Sequence, residues 1–383
     1  MSLVYVSHSQ PPAGAPLANV GGMQRVAEEL LETLLARADV EIEAIVLRSS
    51  WKWIHFRVFP FLLSTFLKLR ARIKNEQVDT ILFTSMVTAL LIIPLRSQLS
   101  RHKVKTAVIV HGLDITTPSA LYQRLVKKIF QRVDVVLPVS AATGAQCTAR
   151  GLDPDRLRIV YNGVNTHRFE SEPPTRPART KLLDVFGLSP DSLPDNVLLL
   201  CSVGRQVRRK GYAWFIKRVM PRLPEHVYYW LGGDGPERDE IEKTIRMCGL
   251  QNRVRLLGML SDPELNALYR GSDLFIMPNV KVQNDMEGFG IVMLEAGMNG
   301  LPSIGARLEG VAEVISEGEN GHLIESEDAD GFVARISTYA SAEADLISAR
   351  RRAFDYTRTT YAWQTIAKRV TDGITNVPRR TSI

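Results

Sequence analysis

The sequence predicts an α/β protein with two domains, each built around a parallel sheet and its helices. Short apolar segments typical of buried strands alternate along the chain with longer segments in which apolar residues recur at helical spacing. At 383 residues the chain is long enough to form two domains of ordinary size. A polar run at residues 170–179 contains three prolines and is predicted to link the two domains.

The composition is that of an ordinary globular protein, with 45% apolar residues. We expect no signal peptide, because the apolar residues 3–6 are followed at once by polar, proline-containing sequence. The longest apolar stretches, such as residues 86–95, are too short to span a bilayer. The three cysteines lack metal-ligand spacing and no histidine cluster accompanies them, so we expect small core residues in a reducing compartment.

The basic excess of the chain belongs to its first half. Residues 1–170 hold 21 lysines and arginines against 13 acids, a net charge of +8, whereas residues 171–383 hold 27 against 28, a net charge of −1. Such an excess indicates an anionic partner, which is a nucleic acid, an anionic membrane or an anionic substrate.

The first domain is predicted to begin with a buried strand at residues 3–6 and a proline-containing loop at residues 8–20. Gly21 and Gly22 then open a helix with apolar residues at helical spacing. A strand, a glycine-rich loop and a helix form a geometry in which backbone N–H groups can approach a phosphate. A tight turn that merely needs flexible residues is the alternative, since the glycines match neither a P-loop nor a dinucleotide-binding motif.

Residues 51–74 are the most unusual segment, with six aromatic residues, six lysines or arginines and no acid. After Pro60 the sequence predicts an amphipathic helix. Aromatic residues beside basic ones are typical of an interfacial membrane-binding element. The residues expected to contact the membrane or the acceptor are Trp51, Trp53, Phe56, Lys68, Arg70 and Arg72. A core helix with a solvated basic edge is the alternative, and nucleic-acid binding is disfavoured because no recognised nucleic-acid-binding motif is present.

Three further strands are predicted at residues 79–83, 104–110 and 134–139, alternating with helical segments. The second of these strands ends at His111. A histidine at the carboxyl end of a strand in an open α/β sheet lies where ligands bind, although a lone histidine is more often structural. Ser140, after the third strand, is expected to cap the next helix.

The second domain is predicted to open with a buried strand at residues 197–203, which leads into a basic loop at residues 204–211. Its glycines free the backbone, so that Arg205 and Lys210 can converge on a diphosphate, the arginine as a planar fork and the lysine as a point charge. A solvated basic loop is the alternative. Two further arginines in the loop have no target that the sequence assigns.

Residues 277–305 contain two glutamates, with seven residues between them, around the start of an apolar helix predicted at residues 291–298. Glycines at the loop–helix junction allow a ligand to approach, and the unpaired N–H groups of a helix N-terminus suit phosphate. Glu287 lies before the helix and Glu295 inside it, so the pair can address two different hydroxyl groups of one ligand. Alternatively, Glu287 favours the helix N-terminus and Glu295 is a solvated residue on the helix face.

The sequence EGFGIVMLEAGMNGLPSI, which begins at Glu287, resembles the E-x7-E signature of the retaining glycosyltransferases of family 4, which have the GT-B fold. The loop at residues 204–211 is similar to the G-R-x(n)-K-G element of that family, and the turn at residues 229–236 is similar to its G-x-G-P element. The segment IVYNGVN, at residues 159–165, resembles the family's I-P-N-G-V-D turn. These elements follow one another in the order that the family shows.

The resemblance implies two Rossmann-like domains that face each other across a cleft, with a C-terminal helix crossing back to the first domain. It predicts an acceptor-binding domain at residues 1–172 and a nucleotide-sugar-binding domain at residues 173–355. Residues 356–383 would form the crossover helix and a tail.

The resemblance also implies roles for individual residues. Arg205 and Lys210 would bind the donor pyrophosphate, and His111 would contact the transferred sugar. Glu287 would orient the donor hexose, and Glu295 would bind the ribose hydroxyl groups. The expected catalytic residues are therefore His111, Glu287, Arg205 and Lys210. The other expected donor-binding residues are Gly21, Gly22, Gly233, Met259, Gly288, Phe289, Gly290 and Ile291.

The sequence thus predicts a retaining hexosyltransferase that uses a nucleotide-sugar donor, with UDP-hexose favoured and GDP-hexose as the alternative. No cofactor and no metal are expected, because basic residues can neutralise the leaving diphosphate and no Asp-x-Asp motif is present. The acceptor is expected to be a saccharide or a lipid-linked saccharide in cell-surface polysaccharide biosynthesis. We expect a cytoplasmic protein that lies peripherally on the anionic inner face of the plasma membrane and binds no nucleic acid.

Two other functions fit the same sequence elements. One is a transferase of the same fold with a soluble acceptor, and the other is a non-catalytic sugar-nucleotide-binding subunit of a transferase complex. A dinucleotide-dependent oxidoreductase is disfavoured, because it would need spaced glycines after the first strand.

Overall fold

A computed structural model of the chain describes residues 1–12, 22–49, 51–341 and 343–380. In this range the chain forms two compact units, one containing the described residues up to Gly163 and those from Trp363 onwards, the other spanning Val164–Ala362. Each unit has a parallel sheet with helices between successive strands, so the predicted α/β class is confirmed. The domain boundaries at 172/173 and 355/356 stay predictions.

The first unit contains a sheet of five parallel strands among the described residues, in the order β2-β1-β3-β4-β5. The strands are β1 (Ser2–Gln10), β2 (Glu41–Arg48), β3 (Thr80–Phe83), β4 (Lys105–Val110) and β5 (Val135–Pro138). The order changes direction between β1 and β3, which places the ligand-binding point of such a sheet at the carboxyl ends of these two strands.

The helices of the first unit follow the pattern expected of crossover connections. They are α1 (Gly22–Leu35), α2 (Trp51–Lys74), α3 (Met86–Ala89), α4 (Ile92–Arg101), α5 (Leu113–Thr116), α6 (Ala120–Phe130) and α7 (Ala141–Thr148). The expected cap of α7 is confirmed, because Ser140 Oγ accepts a hydrogen bond from the Thr143 N–H over 3.0 Å.

Two elements of the first unit are longer than the sequence predicted. β1 continues to Gln10 rather than giving way to a loop at His8, because the polar side chains at its end are buried and the strand stays paired with β2 up to Arg48. α2 begins at Trp51 and runs through Pro60, where a new helix was expected to start. Pro60 is exposed, so the carbonyl that loses its hydrogen bond can be solvated, which lowers the cost of an internal proline.

The second unit contains a sheet of six parallel strands within the described range, in the order β11-β10-β9-β6-β7-β8. The strands are β6 (Leu198–Val203), β7 (Val227–Gly232), β8 (Val254–Gly258), β9 (Leu274–Met277), β10 (Ser303–Ala306) and β11 (Gly321–Ile324). Here the order changes direction between β6 and β9, so the loops that follow these two strands flank the expected ligand-binding point.

The helices of this unit include the predicted apolar helix with its predicted bounds, Ile291–Met298. The helices are α8 (Arg179–Val185), α9 (Tyr212–Arg218), α10 (Arg238–Met247), α11 (Asp262–Gly271), α12 (Ile291–Met298), α13 (Val311–Val314), α14 (Ala329–Ser341) and α15 (Glu343–Tyr361). A last helix, α16 (Trp363–Thr375), belongs to the first unit.

The proline-containing run at residues 170–179 is part of the second unit rather than a free linker. The Ala178 N–H donates to the Arg270 carbonyl over 3.0 Å, and Arg350 Nε donates to the Pro174 carbonyl over 3.2 Å. These hydrogen bonds attach the segment to the second unit, although its composition predicted a linker.

The closing helix α16 is fixed within the first unit by a buried tryptophan. Trp363 Nε1 donates to Glu29 Oε2 of α1 over 2.6 Å. A Cβ at Gly163 would lie 2.5 Å from the same indole, so the chain passes the ring only because Gly163 has no side chain. The sequence-based expectation that this helix returns to the first domain is confirmed.

Candidate active site

The main polar cluster of the second unit lies where its strand order changes direction. The loops after β6 and β9 meet there, and the Val280 N–H donates to the Arg209 carbonyl over 2.9 Å. Gly211 has φ +68°, and a Cβ at this residue would lie 1.9 Å from the Pro278 carbonyl oxygen. Only glycine therefore permits the two loops to approach so closely.

Glu287 is the centre of this cluster. Its carboxylate lies 2.7 Å from Lys210 Nζ and 3.4 Å from Arg209 Nε. The Asn279 amide donates to it over 3.4 Å, and Arg209 Nη1 donates to Asp285 over 2.8 Å. The side chains of Lys210 and Glu287 are only 6% and 12% exposed. These residues form a set of two cations and two carboxylates, buried at Lys210 and Glu287 and 32% exposed at Asp285, which we call the ion-pair cluster.

The charges of the ion-pair cluster keep Glu287 ionised. Burial alone would raise the pKa of its carboxyl group, but the attraction of Lys210 and Arg209 outweighs burial, and the pKa lies below its usual value. Burial lowers the pKa of Lys210, and the Glu287 charge opposes that change. An ionised carboxylate whose direction is fixed by several donors is suited to accept hydrogen bonds from ligand hydroxyl groups.

Arg209 is a residue of this cluster that the sequence analysis missed. It shares a single 3-10 turn with Lys210, and this turn ends at Gly211. Arg205 is exposed, and its guanidinium has no partner among the described residues, so its expected contact with the pyrophosphate stays a prediction. Arg209 could have been found from the facing loop. The two carboxylates there, Asp285 and Glu287, carry more negative charge than one lysine can balance, which indicates a second cation.

The second acid of the E-x7-E motif is buried rather than solvated. Glu295 is 3% exposed, and the Tyr269 hydroxyl donates to its carboxylate over 3.2 Å. The alternative of a solvated acid on the helix face is therefore wrong, because α12 presents this side to the interior of the unit. The expected contact of Glu295 with a ribose stays a prediction.

The start of α12 offers backbone groups rather than side chains. Gly290 has φ +91° and precedes Ile291, and no side chain caps the helix there. The Phe289 ring is 3% exposed and packs edge-on against Tyr361 at 6.1 Å, so this residue has only its backbone left for a ligand. Together with Gly288, these residues leave the first-turn N–H groups of α12 available to an anion.

The turn after β7 supports the β6 loop. Gly233 has φ +115°, and a Cβ there would lie 2.1 Å from the Gly204 carbonyl oxygen. The buried Gln206 donates its Nε2 to the Gly233 carbonyl over 2.8 Å and its backbone N–H to the Asp234 carbonyl over 2.9 Å. Gly233 thus acts by positioning the loop. Met259, another expected donor-binding residue, is 56% exposed, and its contact with the donor stays a prediction.

In the first unit, His111 lies at the carboxyl end of β4, as expected. Its Nε2 is 3.0 Å from the Thr84 carbonyl, and its backbone N–H donates to Asp114 over 3.0 Å. Because a carbonyl only accepts, Nε2 is the donor in this contact. Burial raises the pKa of Asp114.

A second histidine of the first unit, His8, was missed because it was assigned to a loop. It is 7% exposed at the end of β1, and its Nδ1 lies 3.1 Å from Ser85 Oγ. Burial, with a smaller contribution from the charge of His111, lowers its pKa to about 4, so it is neutral at pH 7. The signal that could have found it is its position directly after the apolar run of β1. A neutral imidazole at this edge of the sheet is suited to bind a sugar hydroxyl group.

The glycines expected at the start of α1 are only partly described. Gly22 is the first residue of α1, and Gly21 lies outside the described residues.

The residues expected at a membrane all lie on α2. Trp53 and Phe56 are 53% and 75% exposed, whereas Leu69 and Ile73 of the same helix are fully buried in the core of the unit. Lys68 and Arg70 are exposed and have no side-chain partner in the part of the chain that the structure describes. Arg72 is instead paired with Glu43 over 3.0 Å. Trp51 begins the helix, but its side chain lies outside the described part.

Two kinds of feature are missing from residues 1–12, 22–49, 51–341 and 343–380. None of their helices combines the length and the apolar character needed to cross a bilayer. Their His, Cys, Asp and Glu side chains form no group of three or more that could hold a metal ion.

Comparison with known families matches both halves of the chain. The family described as "Glycosyltransferase Family 4" matches residues 20–168, and the family described as "Glycosyl transferases group 1" matches residues 197–341.

Curated relatives agree with these families. The chain is 24% identical over 246 residues to the putative colanic acid biosynthesis glycosyltransferase WcaL of Salmonella typhimurium, covering 63% of this chain and 57% of WcaL. It is 26% identical over 293 residues to the GDP-mannose-dependent alpha-(1-6)-phosphatidylinositol monomannoside mannosyltransferase of Mycolicibacterium smegmatis, covering 75% and 72% of the two chains. The chain thus spans little more than half the length of WcaL.

The fold also has solved counterparts. The structure of Anabaena Alr3699/HepE in complex with UDP matches with a TM-score of 0.70 and 16% identity, covering 98% of this chain and 100% of that one. At this identity the match shows a common fold, and the GT-B arrangement expected from the sequence is confirmed at that level.

Proposed function

Because the chain belongs to glycosyltransferase family 4, the group 1 glycosyltransferases, we propose that it transfers a hexose from a nucleotide-sugar, with retention, to a membrane-associated saccharide acceptor. The acceptor would be a glycolipid or a lipid-linked saccharide used to build a cell-surface polysaccharide. The named function of WcaL in colanic acid biosynthesis and the phosphatidylinositol monomannoside substrate in the name of the mycobacterial relative support this class of acceptor.

The observation that carries the proposal is the ion-pair cluster at the point where the second sheet changes direction. Lys210, which is buried, and Arg209, which is partly buried, place two cations beside the carboxyl ends of β6 and β9, where α/β sheets bind nucleotides. A diphosphate needs such cations, because negative charge develops on it as it leaves. UDP is the favoured nucleotide, since HepE was solved with UDP, and GDP is the alternative, since the mycobacterial relative is GDP-mannose-dependent.

Each residue then has a separate role in the transfer. Lys210, the exposed Arg205 and the N–H groups at Gly290 would neutralise the diphosphate without a metal ion. Glu287 would accept hydrogen bonds from the hexose hydroxyl groups, and Glu295 would accept them from the ribose. Both acids therefore bind, and neither acts as the nucleophile of a two-carboxylate glycosidase.

The transfer itself follows from retention at the anomeric carbon. The acceptor hydroxyl group would attack from the face that the diphosphate leaves, and a diphosphate oxygen would take up the hydroxyl proton. The bond from the anomeric carbon to the diphosphate breaks as the bond to the acceptor oxygen forms. His111 would contact the hexose during this step.

The nucleotide preference is tested by calorimetric titration of the protein with UDP, GDP and ADP, each with and without EDTA. We expect one nucleotide to bind equally well in both conditions, and we expect the sugar conjugates of that nucleotide to bind as well.

Glu287→Ala should lower the affinity for the sugar conjugate more than the affinity for the free nucleotide, because the carboxylate is proposed to contact the hexose. Failure of all nucleotides to bind would overturn the transferase proposal and favour a protein without donor-site function. Transfer to a soluble sugar alone would favour the soluble-acceptor alternative.

Membrane docking is proposed for an exposed stripe on α2. Trp53, Phe56, Phe59, Leu63 and Leu67 lie on one side of this helix and are between 53% and 75% exposed. So large an apolar face is rarely left in water, and the neighbouring basic residues match an anionic lipid surface. The protein would then lie peripherally on the inner face of the plasma membrane.

Charge reversal on α2 tests the docking. The double variant Lys68→Glu and Arg70→Glu should lower the affinity for phosphatidylglycerol-containing vesicles, measured by sedimentation, by about 30-fold. The reason is that each basic residue near such a surface contributes about 1 kcal/mol to the binding free energy. The exposed pair Lys217→Glu and Arg218→Glu makes the same charge change on the second unit and serves as the control. Equal sedimentation of both variants would contradict docking through α2.

A further inference from the structure

A basic cavity lies at the edge of the first sheet opposite to His111. Its volume is about 310 Å³, and it is lined by α4, the amino ends of β4 and β5, and the chain that follows α16. Thr106, at the start of β4, lines it, and His111 lies five positions further along the chain, a rise of about 16 Å along a strand. The cavity, which we call the amino-edge pocket, is therefore separate from the carboxyl edge where the acceptor is proposed to bind.

Four arginines line the amino-edge pocket: Arg96, Arg132, Arg379 and Arg380. Three of them lack a carboxylate partner within the described residues. Arg132 donates its Nη1 to the Lys128 carbonyl over 2.9 Å, and Arg380 donates its Nη1 to the Phe130 carbonyl over 3.1 Å. Arg379 has no side-chain partner in the same range. No described carboxylate therefore neutralises the charge of these three guanidinium groups, and several of their N–H groups can still donate to a ligand.

The one carboxylate in the lining is already occupied by other donors. Asp134 accepts from the Thr106 N–H and hydroxyl over 2.8 and 2.9 Å, and from the Arg380 backbone N–H over 2.6 Å. Its contacts hold β4, β5 and the C-terminal segment together, and no guanidinium shares them. The Asp134 carboxylate is thus used in hydrogen bonds that hold the backbone together, and one such carboxylate cannot neutralise several arginines.

Arg132 has a hydrogen-bond donor in the amino-edge pocket that the described residues do not satisfy. Its Nε atom is buried and has no hydrogen-bond partner within the described residues. A buried donor of a charged group that makes no hydrogen bond costs more than 1 kcal/mol, by the general cost of such groups. An acceptor supplied from outside would remove that cost, and several acceptor oxygens on one centre would serve several arginines at once.

We propose that the amino-edge pocket binds a phosphoryl group, carried either on a lipid headgroup or on free phosphate or diphosphate. Guanidinium groups match phosphate oxygens through paired N–H donors, and three of those lining the pocket have no carboxylate partner among the described residues. The site is distinct from the donor diphosphate site of the second unit. It also gives a specific target to part of the basic excess of the first half, which the donor site does not use.

Equilibrium dialysis of the full chain with labelled pyrophosphate, at about 0.15 M salt to screen exposed charges, tests the pocket. The Lys210→Met variant, which weakens the donor site, should retain binding. In that background, Arg132→Gln and Arg379→Gln should each weaken pyrophosphate binding by at least about tenfold, the loss of one charged contact. The exposed pair Lys217→Gln and Arg218→Gln should change nothing. Arg379 has no described partner, so its replacement reports on binding rather than on folding.

A second arm separates the two sources of phosphate. Vesicles containing phosphatidic acid, which carries a phosphate monoester, are compared with phosphatidylglycerol vesicles of equal charge. Preference for phosphatidic acid that Arg379→Gln abolishes assigns a lipid headgroup, and pyrophosphate binding without that preference assigns a free anion. Pyrophosphate binding that is unchanged in both arginine variants overturns the proposal, as does binding of neither probe. Failure of UDP to bind would bear on the proposed transferase function alone.

Discussion

Replacing Lys210 by methionine is expected to lower kcat by about 10²–10³-fold, the usual effect of removing one preorganised group that stabilises developing charge. Lys210 lies 2.7 Å from Glu287, and its side chain is 6% exposed. Solvent therefore cannot compensate for the loss of the ammonium group. Methionine keeps most of the volume and removes only the ammonium group. Turnover of the preferred nucleotide-sugar and calorimetric affinity for the nucleotide measure the effect.

The same replacement is expected to lower the free energy of unfolding by about 3 kcal/mol, because it leaves the buried Glu287 carboxylate with Arg209 as its remaining cation. The double variant Lys210→Met and Glu287→Gln removes both charges and should recover most of that stability, measured by urea denaturation. Its turnover should stay low, which separates the catalytic effect from the structural one. A Lys210→Met enzyme with turnover within about threefold of the original would contradict the assigned role.

Replacing Gly233 by alanine is expected to destabilise the second unit by more than about 3 kcal/mol, the range reached when a substitution forces backbone atoms apart. The added Cβ would lie 2.1 Å from the Gly204 carbonyl oxygen, and Gly233 has φ +115°. The turn would have to move away from the β6 loop, which Gln206 fastens to it. Affinity for the nucleotide should fall with stability, because Lys210 lies at the end of that loop.

Gly249 is the matched control for this substitution. It has φ +67°, and a Cβ there would meet no atom within 4 Å. Gly249→Ala therefore bears only the cost of a left-handed backbone, about 1 kcal/mol, without a steric clash. Urea midpoints of the two variants that differ by less than about 1 kcal/mol in unfolding free energy would show that the close contact at Gly233 does not hold the loop.

The sequence predicted the fold class, most of the strands along the chain and the position of the main motif. Apolar runs at strand spacing and helical spacing set the α/β alternation, and the bounds of α12 were predicted to the residue. The sequence also predicted an unusual backbone in the two glycine-containing loops, and Gly211 and Gly290 both have positive φ.

The partners of charged side chains depend on folding and were not accessible in this way. Arg209 pairs with Asp285 and Glu287, 76 and 78 residues along the chain, because β6 and β9 are neighbours in the sheet. His8 meets Ser85 across 77 residues for the corresponding reason, since β1 and β3 are adjacent. No local pattern encodes either contact.

Local patterns in the sequence identified the residues suited to chemistry: the basic loop with Lys210, the acids of the E-x7-E motif and the histidine after β4. Folding established their surroundings, because it buried Glu295, left Arg205 exposed and brought Arg209 to Glu287. It also left an apolar stripe of α2 exposed and gathered the arginines of the amino-edge pocket. The physical reason is that local spacing fixes backbone conformation, whereas burial and charge pairing depend on strand neighbours that are distant in sequence.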